Sequence, residues 1–241
     1  MRHTLGAVLA RHFVKFTFLK LEPAWRRREP EERALDKREF AAACLDFADD
    51  HFLRAYSLVG TRGDCDLMVR TASPSLEAIH ELHVVLNQSG LMRWATIPHS
   101  YLAMTKPSVY SDEETPLAPR EGSERRYLFV YPLWKKREWY RLPAEERARI
   151  MRGHIEVGRR HPSVEINTAY SYGLDDQEFV VSFDADEPGE FLDLVQELRG
   201  TESSAYTEWE TPIFTCVSAS VERALNALDG EAVAMDPTAL T

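Results

Sequence analysis

Apolar residues recur at every second position in several short stretches of the chain and at helical spacing in the stretches between them, and the order of these stretches repeats. A first strand ends near Leu21, with Phe13, Phe16 and Phe18 as packing residues, and Arg38 to His51 reads as a helix. Tyr56 to Gly60 and Asp66 to Val69 read as two strands around a Gly-Asp turn, Pro74 to Asn87 as a second helix, and His99 to Met104 as a closing strand. The second half runs in the same order. A strand from Tyr127 to Tyr131 precedes a helix from Pro143 to Arg160; strands at Tyr170 to Gly173 and Glu178 to Phe183 flank the turn Asp175-Asp176. A helix from Pro188 to Leu198 then places Phe191, Leu192, Val195 and Leu198 on one stripe, and Ile213 to Val217 closes the unit. Pro132 is expected to stop regular pairing of its strand.

Two strand-helix-strand-strand-helix-strand units predict an α+β chain of two ferredoxin-like halves packed sheet against sheet. The boundaries fall at residues 1–105 for the first half, 106–126 for a linker rich in Pro, Ser, Glu and Asp, 127–229 for the second half and 230–241 for a tail. The charged stretch Pro23 to Arg38 reads as a solvated connection. Arg11, His12, Lys15 and Lys20 interrupt the apolar run from Leu5 to Leu21 well short of a membrane-spanning helix, so no membrane span is expected. The net charge of -10 argues against a general nucleic-acid binder. Cys44, Cys65 and Cys216 are odd in number, far apart and in no CxxC or CxxCH pattern, which excludes a disulfide framework and c-type haem attachment and fits a cytoplasmic protein.

The candidate chemistry lies in the second half. Pro143, Glu145 and Glu146 start a helix on which Ile150, Met151, His154, Val157 and Gly158 share a mostly apolar face, so His154 points inward. On pattern alone such a histidine reads more readily as a hydrogen-bonded core residue than as a metal ligand. Tyr131 ends the apolar run Leu128-Phe129-Val130-Tyr131, where it is either an interface tyrosine with a satisfied hydroxyl or a phenol at the edge of a cavity. His80 and His83 can share a helix face but have no further ligand cluster, and Gly60-Thr61-Arg62-Gly63 is too short for a phosphate loop.

The run Tyr131-Pro132-Leu133-Trp134-Lys135, with Trp139-Tyr140, His154 and Tyr170-Ser171-Tyr172-Gly173-Leu174-Asp175-Asp176, resembles the chlorite dismutase family, and within it the coproheme decarboxylases. The resemblance implies a dimeric α+β barrel within one chain. It implies a peroxide-dependent oxidative loss of two propionate carboxyl groups from iron-coproporphyrin III, giving haem b. It makes His154 the proximal iron ligand, Tyr131 the radical relay, and Lys135 with Ser204 the residues that hold propionates, with Arg120 or Arg125 a further anchor; on the residues alone Ser204 reads equally as a helix-end or turn serine, and Glu202 is either a partner for the other nitrogen of His154 or a helix-end carboxylate in a surface salt bridge. Buried propionates need cations or several donors, so these residue types suit the task. Leu133 stands where relatives often carry methionine. Ile166 falls where chlorite-splitting members place a distal arginine and some decarboxylases a glutamine; an aliphatic side chain there cannot hydrogen-bond bound oxyanion or peroxide, which weighs strongly against chlorite splitting and modestly against decarboxylation. By the same analogy the partners are a homopentamer of the chain and a transient ferrochelatase. The rival readings are a haem b peroxidase or chlorite-splitting enzyme and a non-catalytic haem carrier or sensor.

Overall fold

A computed structural model describes residues 11–110 and 125–230. Most of the expected linker, with Arg120, and the tail after residue 230 lie outside the described residues, as do residues 1–10. The first half contains β1 (Phe13–Leu21), α1 (Pro30–Ala48), β2 (Phe52–Ser57), β3 (Leu67–Ser73), α2 (Leu76–Leu86) and β4 (Ala95–Met104). The second contains β5 (Tyr127–Lys135), α3 (Arg137–Arg141), α4 (Ala144–Arg159), β6 (Glu165–Tyr170), β7 (Phe179–Ala185), α5 (Pro188–Arg199), β8 (Thr207–Trp209), β9 (Phe214–Ala219) and α6 (Val221–Asn226).

All strand pairs are antiparallel. One run is ordered β4-β1-β3-β2 and the other β6-β7-β5-β9; β2 joins β9 and β4 joins β6, so the pairing closes on itself, with β8 added at the end of β5. Closure leaves no long unpaired edge to recruit another chain. Because successive residues of a strand face opposite sides, each strand supplies two cores. Phe16, Phe18, Tyr56, Met68, Leu128, Val130, Val180 and Phe214 fill the inside of the ring. On the outside, Leu19 and Val69 pack under Phe40 and Phe47 of α1 and Ile79 and Leu82 of α2. Phe129, Tyr131, Val181 and Phe183 form a separate outer cluster with Val157 of α4 and Leu194 of α5. Among the described residues no helix is long and apolar enough to cross a membrane.

The two halves share a turn as well as an order. Gly60 (φ 83°) and Gly173 (φ 70°) both sit in the left-handed region, and an isolated bridge spans each turn, Val59 to Arg62 in one and Tyr172 to Asp175 in the other. These glycines therefore belong to turns, and the strands expected to contain them end earlier, at Ser57 and Tyr170.

Two further expectations differ from the structure. The charged stretch Pro23 to Arg38 is not a solvated connection: a 3-10 helix spans Pro23–Arg27 and α1 begins at Pro30. Trp25 is fully buried there, its indole N–H donates to the buried Asp36 (2.8 Å), and Arg28 pairs with the same carboxylate. Lys37, also buried, donates to Asn226 and Asp229 (2.9 Å each), so charges that looked solvated tie α1 to the end of the chain's second half. Pro132 does not end pairing either, since β5 continues to Lys135 with Pro132 opposite Val180. Its missing N–H falls where β9 has already stopped pairing, at Val130, so no ladder bond is lost on that side.

Gly90 packs against Asp36, and a Cβ there would run into the Asp36 carboxyl group, which Trp25 and Arg28 hold in place. Gly90→Ala is expected to cost about 1–3 kcal/mol, as overpacking of a fixed site does. Urea denaturation should show a lowered midpoint for Gly90→Ala and a change within about 0.5 kcal/mol for Gly63→Ala, because a Cβ at Gly63 meets open space.

Candidate active site on the outer face of the second half

The pleat of β5 sends Leu128 and Val130 into the ring and Phe129, Tyr131 and Leu133 outward. Register then builds a wall three strands wide. Tyr131 lies opposite Val181, which lies opposite Thr168; Phe129, Phe183 and Ile166 form one neighbouring row and Leu133, Phe179 and Tyr170 the other. Tyr131 is only 6% exposed, and its ring stacks with that of Phe183 at 5.7 Å. Burial pushes its phenol up to about 12, against the pull of the Arg199 charge.

Helix α4 faces this wall. Glu145 and Glu146 occupy its first turn, where acids complement the helix dipole, and Ile150 and Val157 are buried along the side that also carries His154. The helix rests chiefly on α5 and on the 3-10 helix Glu202–Tyr206, whereas α1, α2 and α5 lie on strands β2, β3 and β7. One turn past His154, Gly158 leaves room for Ile166: a Cβ at Gly158 would stand 3.1 Å from Ile166 Cδ1. His154 Nδ1 is buried without a hydrogen-bond partner. Burial, and then the nearby Lys135 charge, pull the imidazole down to about 4, so it is neutral at neutral pH with a lone pair to offer.

Lys135 Nζ donates to the Ser203 carbonyl (3.0 Å), the Ser203 hydroxyl (3.1 Å) and the Thr207 hydroxyl (3.4 Å), and it stands 5.1 Å from the centre of the Trp139 ring. Among the described residues no carboxylate pairs with it. The nearest acid to influence it, Glu178, accepts instead from the Lys135 backbone N–H (2.8 Å) and the Tyr140 hydroxyl (2.6 Å). Burial lowers the Lys135 ammonium to about 8, with Glu178 opposing the shift. The result is a partly desolvated cation held by neutral oxygens, which is what an incoming anion needs.

Lys135 thus engages Ser203, while Ser204 lines an open cavity of about 270 Å³ together with Arg199, Thr207, Glu208, Trp209, Glu210 and Thr211. Glu202 does not reach His154; its carboxylate accepts from Arg149 (2.8 Å), which also grips Glu146. Arg125 pairs with Asp186 (2.6 Å). His83 contacts Thr17 (3.2 Å) while His80 is exposed, so the two do not form a site. Sequence reasoning passed over Ser203, Thr207 and Arg199. A basic residue in the last turn of a helix is the only signal Arg199 carries, and the helix dipole alone explains such a residue.

These residues fit an iron porphyrin better than a metal bound by protein side chains alone. Among the described residues the one grouping of three possible ligands, Asp64, Cys65 and His99, does not include His154, and Arg62 already grips Asp64 there (2.6 Å). A single neutral histidine beside an apolar wall suits a metal that arrives with its own nitrogen donors.

The family model described as chlorite dismutase matches residues 32–219. The chain belongs to the chlorite dismutase family. A coproheme decarboxylase from Mycolicibacterium smegmatis is 30% identical over 174 residues, spanning 72% of this chain and 75% of that protein. The fold is that of the family, an antiparallel sheet with helices outside it. The chlorite dismutase of Candidatus Nitrospira defluvii, solved with imidazole, superposes with a TM-score of 0.82 at 20% identity over 90% of this chain and 95% of that one. A haem-binding protein from Thermus thermophilus superposes with a TM-score of 0.79 at 26% identity, covering 91% and 95% of the two chains.

The electrostatic link between Lys135 and His154 is directly measurable. NMR titration of the ligand-free protein should place the His154 imidazole near 4. Lys135→Met removes a positive charge and should raise that value while leaving it below the ordinary 6.5, because burial, the larger cause, remains.

Proposed function

We propose that this protein is a coproheme decarboxylase, which removes the carboxyl groups of two propionates of iron-coproporphyrin III with hydrogen peroxide and releases haem b. The observation that carries the reading is that helix α4 brings His154 near the strand β5 that carries both Tyr131 and Lys135: a neutral imidazole beside a buried phenol and a cation without a carboxylate partner. The Mycolicibacterium smegmatis relative is named for this activity, and we carry it over. With it we read the repeated strand order as two ferredoxin-like halves, residues 1–105 and 127–229, forming a dimeric α+β barrel within one chain.

In this reading His154 ligates the iron, and Lys135 and Arg199 receive propionate carboxylates, with the Ser203, Ser204 and Thr207 hydroxyls as further donors. When bound, the iron porphyrin supplies, with peroxide, the oxidising equivalents. Per propionate the balance is one carboxylate, one peroxide and one proton giving one vinyl group, one CO₂ and two waters. Tyr131 would give up the hydrogen of its phenol and recover one from the propionate side chain; the carbon radical left behind would then lose its electron to the second oxidising equivalent as the carboxylate departs as CO₂ and the vinyl group forms. The raised phenol keeps Tyr131 protonated, and thus able to give a hydrogen atom, throughout the neutral range. The apolar wall keeps bulk water from quenching the relay. Ile166 offers no donor to an oxyanion, which favours this chemistry over chlorite splitting.

The test loads the purified protein with iron-coproporphyrin III, titrates peroxide and follows porphyrin mass and CO₂. Stepwise loss of two carboxyl groups is expected, abolished in Tyr131→Phe with porphyrin affinity retained; tight binding without mass change in the wild type would sink the reading in favour of a carrier. Porphyrin affinity should also weaken as pH rises above about 8, by at most tenfold per unit, because Lys135 is charged below that value and must gain a proton to pair with a carboxylate above it. Lys135→Met should bind about 10- to 100-fold more weakly at pH 7 and lose that pH dependence.

A further inference from the structure

Arg199, at the end of α5, already holds a carboxylate: it forms an ion pair with Glu210, on the segment between β8 and β9. Glu210 is the more buried partner, its side chain 19% exposed against 45% for Arg199. Both line the open cavity with Ser204, Thr207 and Glu208. The cavity adjoins the proposed reaction site on two sides, because Thr207 also accepts from Lys135 Nζ (3.4 Å) and the Arg199 charge is felt at Tyr131. The Trp209 indole, which donates to the Thr211 carbonyl (3.0 Å), braces the segment that carries Glu210.

We propose that Glu210 is a carboxylate placeholder: it occupies Arg199 while the site is empty, yields it to a carboxylate of the entering porphyrin, and so sets the preference of the site between porphyrins of higher and lower carboxylate number. The inference rests on the porphyrin reading above. Arg199 is nearly half exposed and can be solvated when unpaired, so Glu210 acts as a competitor for the guanidinium and not as a partner that it needs. With Glu210 present, an incoming carboxylate breaks one ion pair to make another and gains little net affinity. When that carboxylate leaves as CO₂, Glu210 can return, so the uncharged vinyl product is not left against a bare cation. Glu210 thereby lowers affinity for the substrate relative to the product. It does so without touching the reacting atoms, as a residue that determines specificity through Arg199.

The test uses redox-inert probes on the full chain: zinc coproporphyrin III, with four carboxylates, and zinc protoporphyrin IX, with two, titrated by fluorescence. Glu210→Gln should bind the four-carboxylate porphyrin about tenfold more tightly, the equivalent of one freed charge-assisted hydrogen bond, and the two-carboxylate porphyrin within about twofold of wild type. The gain should vanish in the double variant Arg199→Gln/Glu210→Gln. Glu208→Gln removes the same charge from the same cavity and should leave both affinities within about twofold, which separates pairing from a general field effect. Unchanged affinity in Glu210→Gln, equal tightening for both porphyrins, or the same gain in Glu208→Gln would each overturn the placeholder. Wild-type protein that binds neither porphyrin would instead overturn the porphyrin reading itself. Melting temperatures confirm that each variant is folded, and Glu210→Ala repeats the comparison with a second side chain.

Discussion

The two-sidedness of β5 is the constraint on which the rest of the structure depends. Leu128 and Val130 close the inside of the ring while Phe129, Tyr131 and Leu133 form the outer wall, and a slip of one residue would exchange the two sets. The register is held from both sides over Tyr127 to Val130, by β7 and β9, and by β7 alone as far as Leu133. Tyr131 therefore stands at the point where the strand passes from double to single flanking, its backbone still fixed by pairing with Val181 of β7.

From that placement the electrostatics follow. The outer wall is hydrocarbon and aromatic, and burial beside it shifts three ionisable groups toward their neutral forms: the Tyr131 phenol upward, the His154 imidazole and the Lys135 ammonium downward. A neutral imidazole, a protonated phenol and a weakly compensated cation are the states that binding an iron porphyrin with anionic side chains requires. Arg199, at the edge of this region and nearly half exposed, pairs with the more buried Glu210.

Much of the fold was legible because it repeats. The alternation of periods gave the order of strands and helices in both halves, and Pro143 with its two glutamates marked α4 and the inward face that carries His154. Boundaries were less legible where glycine was taken as the end of a strand, since only the positive φ of Gly60 and Gly173 assigns them to turns. The stretch from Pro23 to Arg38 misled because charge was equated with solvent: Asp36 and Lys37 are buried through specific partners 8 to nearly 200 residues away, and one sequence does not display such pairs. In the site, Tyr131, Lys135 and His154 came from motif resemblance; the first two share β5, and the packing of α4 that brings His154 near Lys135 came only with the structure. Ser203 rather than Ser204 meets Lys135 because the segment there is a 3-10 helix, whose turn no residue spacing revealed. Glu202 takes the second of its two readings, an exposed salt bridge, with Arg149.

The account stands or falls on Tyr131 as the hydrogen relay, and the most direct measurement is rapid-freeze electron paramagnetic resonance of protein loaded with iron-coproporphyrin III and mixed with peroxide. It predicts a tyrosyl signal that forms and decays within the turnover time, narrows when tyrosine is ring-deuterated, and is absent in Tyr131→Phe together with turnover. Full decarboxylation by Tyr131→Phe, with or without a radical elsewhere, would contradict it.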